Sequence, residues 1–287
     1  MKEITILSGK GGTGKTTITA AIASIAQNAV FCDNDVDAAN LHLILKPEIL
    51  EQNTFFGGWI ASINKEKCTQ CGICQENCHF DAIHQDDGIF QINPIQCEGC
   101  RLCERVCPEN AIHSVRSSNN FWFVSSTRLG AFVHAKMGPG EENSGKLVTQ
   151  VRKKAKEIAV QTNANYIIND GPPGIGCAAI SSLAGINLAI VVTEPSMSGL
   201  HDAKRLIDLI KFFKIEAHII VNKYDINEEI TSKIEAYANT ENIKIIAKIP
   251  FDKEMVESMI EGKTIIEYNK NSNTSHKINM IWQTIKI

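Results

Sequence analysis

The stretch Gly9–Thr16, GKGGTGKT, decides the fold. It follows an apolar run, EITILS at 3–8, and opens onto KTTITAAIASIAQ at 15–27, where Ile18, Ala21, Ile22 and Ile25 fall on one helical face. Strand, glycine loop and helix in that order are the context that G-x-x-x-x-G-K-[ST] requires. Gly9, Gly11, Gly12 and Gly14 let the backbone N–H groups of the loop curl around phosphates, and the helix start adds the positive end of its dipole. Lys15 reaches the terminal phosphates and the Thr16 hydroxyl can ligate Mg²⁺. Thr13 and Thr17 belong to the same expected nucleotide-binding loop, and Lys10, near its start, reads from spacing alone as a solvated surface lysine.

Outward from the loop, AVFCDND at 29–35 reads as a second strand ending in acids and forming a first parallel pair. The segment to about residue 60 reads as a helix followed by irregular chain. Beyond residue 117, GKLVTQVRKKAKEIAVQ, GLHDAKRLIDLIKFF and EEITSKIEAYAN read as helices. Between and after them YIIND, INLAIVVTEP, AHIIVNK and IKIIAKIP read as strands. This alternation predicts an α/β P-loop NTPase domain over 1–60 and 118–287, with a mostly parallel, doubly wound sheet.

The interruption at 61–117 repeats itself. CTQCGICQENC at 68–78 recurs 29 residues later as cysteines 97, 100, 103 and 107, and DAIH at 81–84 recurs as NAIH at 110–113. DDG at 86–88 reads as a turn between strands of the first half. Each run is C-x2-C-x2-C-x3-C, and Pro108 follows the second, which is the bacterial two-cluster ferredoxin pattern. In the crossed arrangement of that pattern one [4Fe-4S] cluster takes Cys68, Cys71, Cys74 and Cys107. The other takes Cys78, Cys97, Cys100 and Cys103. A zinc ribbon would use two C-x2-C pairs and leave four cysteines idle. The expected insertion is therefore a small α+β domain with two [4Fe-4S] clusters.

Charge and composition narrow the classes. Eight of the ten cysteines lie between Cys68 and Cys107, which suits metal binding in a reducing compartment better than disulfides. No secretory leader pattern or apolar run of about 20 residues occurs, so a cytoplasmic protein off the membrane is expected. A net charge of −3 gives no support for a nucleic-acid binder. Residues 63–115 hold four basic and eight acidic side chains, a charge of −4, leaving the remainder at +1. An acidic electron carrier docks on a basic face. RKKAKE at 152–157 is the candidate run, with a solvated helix surface as the plain alternative.

The loop KGGTGKT resembles the deviant Walker A loop of the MinD, ParA and nitrogenase-iron-protein ATPases. That resemblance implies a homodimer in which Lys10 reaches the partner's nucleotide. DNDVD at 33–37 stands where the family has its switch I acids, implying that Asp35 orients the attacking water or holds the water shell of Mg²⁺. DGPPG at 170–174 looks like switch II, implying Asp170 on Mg²⁺ through water and Gly174 near the γ-phosphate. The implied catalytic set is Lys10, Lys15, Asp35 and Asp170, and the implied Mg²⁺ set is Thr16, Asp35 and Asp170. Asn222 is implied at the adenine of ATP, yet NKYD at 222–225 also fits the guanine-reading N-K-x-D, so GTP stays open.

Nearly the whole chain, including GEENSGKLV at 140–148, resembles MinD-superfamily ATPases carrying an inserted two-cluster ferredoxin domain. Cys177 stands seven residues after Asp170, the offset of a cluster-ligating cysteine in nitrogenase iron protein, although the other such cysteine has no counterpart; a structural thiol is the plain reading. Cys32 reads as a core residue. INMIWQTIKI at 278–287 reads as a packed helix rather than a MinD-like membrane tail. Three functions follow from the resemblance: ATP-gated electron transfer to a partner protein, an ATP-dependent carrier or scaffold for metallocofactor assembly, and positional organisation like that of MinD.

Overall fold

The computed structural model describes residues 1–138, 141 and 144–286. Of the GEENSGKLV stretch, Gly140, Glu142 and Asn143 therefore lie outside the described residues. The chain forms two compact units, one of Met1–Gln52, Trp122–Ala135 and Gly145–Ile287, the other of Asn53–Phe121 and Lys136–Ser144. The second unit is wider than the 61–117 span read from the cysteines.

The chain begins with β1 (Lys2–Ser8), α1 (Lys15–Ala23), β2 (Ala29–Asp33), α2 (Leu41–Leu45) and β3 (Glu48–Phe55), the last of which runs from the first unit into the second. The helix expected after residue 35 is thus short, and a strand follows it where irregular chain was expected. Lys46 turns the chain with φ of 48°, and Pro47, which cannot donate to a helix, blocks continuation. The second unit contributes β4 (Trp59–Ile63), α3 (Ile73–Glu76), β5 (Ile83–Asp86), β6 (Ile89–Ile92), α4 (Leu102–Val106) and β7 (Ile112–Arg116). A pair of strands that sequence reading passed over, β8 (Asn120–Thr127) and β9 (Gly130–Lys136), precedes α5 (Ser144–Gln161). The remainder is β10 (Tyr166–Pro173), α6 (Cys177–Leu183), β11 (Leu188–Thr193), α7 (Met197–Phe212), β12 (Glu216–Asn222), α8 (Glu228–Thr240), β13 (Lys244–Ile249), α9 (Lys253–Ile260), α10 (Ile265–Tyr268) and α11 (Asn273–Ile285).

The nine-stranded sheet runs β13-β12-β11-β1-β10-β2-β9-β8-β3. The pairs from β13 through β9 are parallel. β1 and β2 do not pair with each other: β10 stands between them, with Ile168 opposite both Ile4 and Phe31. This order puts the end of β1 where connections leave in both directions, the place at which open α/β sheets bind ligands.

Alternation along β1 divides its core. Ile4 and Ile6 pack with Ile18 and Ile22 of α1 and Ile278, Ile281 and Trp282 of α11, whereas Leu7 faces Leu206, Ile207 and Ile210 of α7. Each such fully buried side chain contributes about 1.5–3 kcal/mol of transfer free energy. The C-terminal helix is accordingly packed through one face, and Trp282 meets the Tyr166 ring edge-on at 4.9 Å.

In the second unit β4 pairs antiparallel with β7, and β5 with β6. Asp87 (φ 49°) and Gly88 (φ 79°) join the latter pair. Positive φ at both central residues is what a type I′ hairpin turn demands, and Asp-Gly meets it. Ala61, Cys74, Ile83, Phe90 and Ile112 form this unit's small core.

Candidate functional site

The loop after β1 folds back on α1 through Gly14, whose φ is 89°. A Cβ there would also stand 2.4 Å from Asn222 Nδ2, so glycine is required on both counts. Asn222 Nδ2 donates to the Thr13 carbonyl (2.8 Å) and Lys223 Nζ to the Gly12 carbonyl (3.1 Å). The end of β12 thereby braces the loop in the shape that exposes its N–H groups.

Lys15, at the start of α1, is 6% exposed. Its Nζ lies 3.0 Å from Asp170 Oδ1 and 3.6 Å from Asp35 Oδ2. Thr16 Oγ1 donates to Asp170 Oδ2 at 2.6 Å, and Thr19 Oγ1 to Asp170 Oδ1 at 3.0 Å. Asp33, fully buried, accepts from the backbone of Asp35 and Leu41 and so shapes the turn that carries Asp35. Burial works against the Lys15 ammonium, but Asp170, Asp35 and Asp33 together hold its pKa above the ordinary value. Burial pushes Asp33 well up, reinforced by Asp170 and opposed by Lys15. Asp35 is pushed up to about 6, again first by burial, with Lys15 pulling the other way. Asp170 and Asp35 beside the Thr16 hydroxyl present hard oxygen donors, the set that Mg²⁺ takes. The residues fit that ion.

Gly11, Gly12, Thr13, Gly14, Lys15, Thr16, Thr17, Asp35 and Asn222 line one cleft of about 500 Å³. Gly9, Lys10, Asp170 and Gly174 do not line it. Gly9 packs against the α7 backbone, where a Cβ would come 2.4 Å from the Asp202 carbonyl carbon. Gly174 (φ 79°) donates its N–H to the Ser8 carbonyl at 2.9 Å. Lys10 Nζ is held by its own chain, 2.8 Å from Glu194 Oε1 and near the Ser196 and Ser198 hydroxyls. Burial acts to raise the Glu194 pKa, but Lys10 and Lys223 prevail and keep its carboxyl below the usual range.

Sequence reading missed one wall of the cleft. Phe251, Met255, Val256 and Met259, on and just before α9, give it an apolar side; the signal was the amphipathic run after IKIIAKIP. Glu194 was also missed, since a single acid after a strand has no diagnostic spacing. Asp225, the last residue of NKYD, accepts from Phe251 N–H at 2.7 Å.

Two smaller cavities lie in the second unit. Cys68, Cys71, Cys74 and Cys107 line one, and Cys78, Cys97, Cys100 and Cys103 line the other. No group of three or more His, Cys, Asp or Glu among the described residues is arranged to hold a single metal ion. Burial pushes the Cys103 thiol up to about 11 and raises Cys74, favouring the neutral thiol at both. Cys32 is fully buried beside Asn34. Cys177 is exposed at the start of α6. No helix among the described residues is long and apolar enough to cross a membrane.

A mostly parallel sheet with a glycine loop, lysine and threonine at its switch point, and with carboxylates just after β2 (Asp35) and within β10 (Asp170), defines a P-loop nucleotide-binding protein of the α/β class. The chain belongs to the CobQ/CobB/MinD/ParA nucleotide binding domain family, which matches residues 4–265. It is 33% identical over 287 residues to an uncharacterised protein of Methanocaldococcus jannaschii, covering 99% of this chain and 96% of that one. The septum site-determining protein MinD of Synechocystis is 26% identical over 280 residues, covering 94% of this chain and 83% of MinD. Among solved structures, septum site-determining protein MinD of Pyrococcus horikoshii, complexed with Mg-ADP, aligns with a TM-score of 0.59 at 20% identity, covering 99% of this chain and 95% of that chain.

Proposed function

We propose that this chain is a nucleotide-driven switch of the MinD type, which binds Mg-ATP between the Gly9–Thr16 loop, Asp35 and Asp170, pairs with a second copy across the nucleotide, and hydrolyses it. The convergence of Lys15, Thr16, Asp35 and Asp170 at the end of β1 carries the reading. Lys15 offsets charge on the terminal phosphates, Thr16 and the carboxylates hold Mg²⁺, and Asp35 orients the water that attacks the γ-phosphorus as the bond to ADP breaks. Gly174 leaves Ser8 to donate its N–H to the γ-phosphate, which ties nucleotide state to the end of β10. ATP is favoured over GTP because the loop and the two acid-bearing stretches at 33–37 and 170–174 resemble those of the MinD-type ATPases. Hydrolysis assays of the parent and Lys15→Ala test this: ATP turnover that is lost in the variant supports it, and none in the parent refutes it.

The relatives' names speak for MinD-like switching more directly than for electron transfer. A second reading, electron transfer coupled to that switch, is favoured by one observation: each of two cavities gathers three cysteines of one run and one of the other. In a [4Fe-4S] cube each thiolate binds a different iron, so the ligands surround a body rather than converge on one ion, and the donor sets fit. Bound there, the clusters would supply one-electron chemistry to a protein partner; a carrier for metallocofactor assembly would use the same cysteines. Iron and sulfide analysis after anaerobic purification tests this reading, which fails if the chain holds neither.

A further inference from the structure

The two halves of the second unit correspond at a spacing of 29 residues, so each position around one cysteine cavity has a counterpart around the other. Gln70 (φ 61°) corresponds to Gly99 (φ 63°), and Gly72 (φ 79°) to Arg101 (φ 63°). Both halves thus keep the same left-handed backbone. Glycine adopts it freely at 72, whereas a side chain at 101 crowds the following carbonyl at a cost of about 1–2 kcal/mol. Gln70 carries the same strain opposite Gly99, so what distinguishes Arg101 is the charge that it brings to its half.

That side chain is held in place. The Arg101 guanidinium carbon lies 4.3 Å from the centroid of the Trp59 ring, and Nε donates to Glu104 Oε2 at 2.8 Å. Gly99 admits Trp59, since a Cβ there would stand 2.4 Å from the Trp59 carbonyl oxygen. Among the described residues, Glu109 is the one charged residue lining the cavity of Cys68, Cys71, Cys74 and Cys107. The cavity of Cys78, Cys97, Cys100 and Cys103 has Glu98 and Arg101. One carboxylate residue is common to each lining, and Arg101 is the charged residue that differs. Glu104, the ion-pair partner of Arg101, does not line the cavity.

Resting on the cluster reading of the eight cysteines, we propose that Arg101 makes the two sites unequal: it raises the reduction potential of the cluster in the Cys78, Cys97, Cys100 and Cys103 site above that of the other. Each reduction adds one electron and no proton, hence one negative charge. A fixed cation beside one site stabilises that charge there. The first electron from a low-potential one-electron donor therefore settles on the Arg101 side.

The test is a redox titration of the full chain, prepared anaerobically, with reduced viologens as donors and paramagnetic resonance as the readout. The parent shows two separate one-electron steps. In Arg101→Gln the upper step moves down, lowering the reduced-to-oxidised ratio at fixed potential about tenfold, or ~59 mV for one electron. The lower step stays. Arg101→Gly does the same while restoring the residue that the backbone prefers, which separates the charge effect from misfolding, and Arg101→Lys retains most of the separation. Unmoved steps in loaded Gln and Gly variants, or movement of the lower step instead, overturn the role of Arg101 alone. A parent chain that carries no iron overturns it together with the cluster reading.

Discussion

Lys10 Nζ lies 2.8 Å from Glu194 Oε1 of the same chain, and Lys223 shares that carboxylate through Oε2 at 3.2 Å. The lysine that the deviant loop resemblance assigns to a partner's nucleotide is thus tethered at home. A partly exposed pair of this kind is worth at most about 1 kcal/mol. With two such lysines released per dimer, Glu194→Gln is expected to lower the protein concentration needed for ATP-dependent dimerisation by roughly 5- to 30-fold. Light scattering at saturating nucleotide checks this, and unchanged or weaker dimerisation would count against the tether.

His134 stacks between Phe123 and Phe132, at ring-centroid distances of 4.9 and 4.6 Å, with Nε2 3.1 Å from Ser125 Oγ. Burial, aided by His42, pushes its pKa down to about 4 from 6.5. In that window the unfolded chain binds a proton that the folded chain does not. Stability is therefore full above about pH 6.5 and falls as the pH drops toward 4, by on the order of 3 kcal/mol. In His134→Phe that contribution to acid sensitivity should vanish. Urea unfolding at pH 7 and 4.5 measures it; an equally steep loss in the variant would contradict the assignment.

Gly99→Ala places a Cβ against the Trp59 backbone and strains φ, which together predict a loss of roughly 2–4 kcal/mol in the second unit. At the equivalent position of the other half, Gln70 already carries a side chain, so Gln70→Ala should be nearly neutral. Thermal melting of the two variants compares them, and equal midpoints would show that the halves do not differ as described.

Glu3 is 3% exposed and joins Arg152 (2.7 Å) and Lys156 (3.0 Å), with Asn169 Nδ2 donating to it at 3.0 Å. Glu3→Ala leaves the buried Arg152 cation without its carboxylate, and a loss of about 3–5 kcal/mol is expected. A denaturation midpoint close to the parent's would mean that water reaches Arg152 in the variant.

What sequence made legible was local. GKGGTGKT announced its own strand and helix because the motif works only in that context, and Asp87-Gly88 announced a hairpin through backbone chemistry. The position of β10 between β1 and β2 was not legible, since strand order is set by packing between distant segments. Glu48–Phe55 was missed because it is largely exposed and lacks the alternation of a half-buried strand. The α9 wall of the cleft escaped notice because Met255 and Met259 read as ordinary packing residues until the fold brings them opposite Thr17. The cysteines were legible as two repeated runs, but Arg101 gained meaning only when the linings of the two cavities were set side by side.

Calorimetric titration of the chain with Mg-ATP addresses the central claim most directly. Saturable binding that is abolished by Lys15→Ala and weakened when Mg²⁺ is withheld is the predicted result. No triphosphate binding in the parent, or equal affinity after Lys15→Ala, would contradict the site.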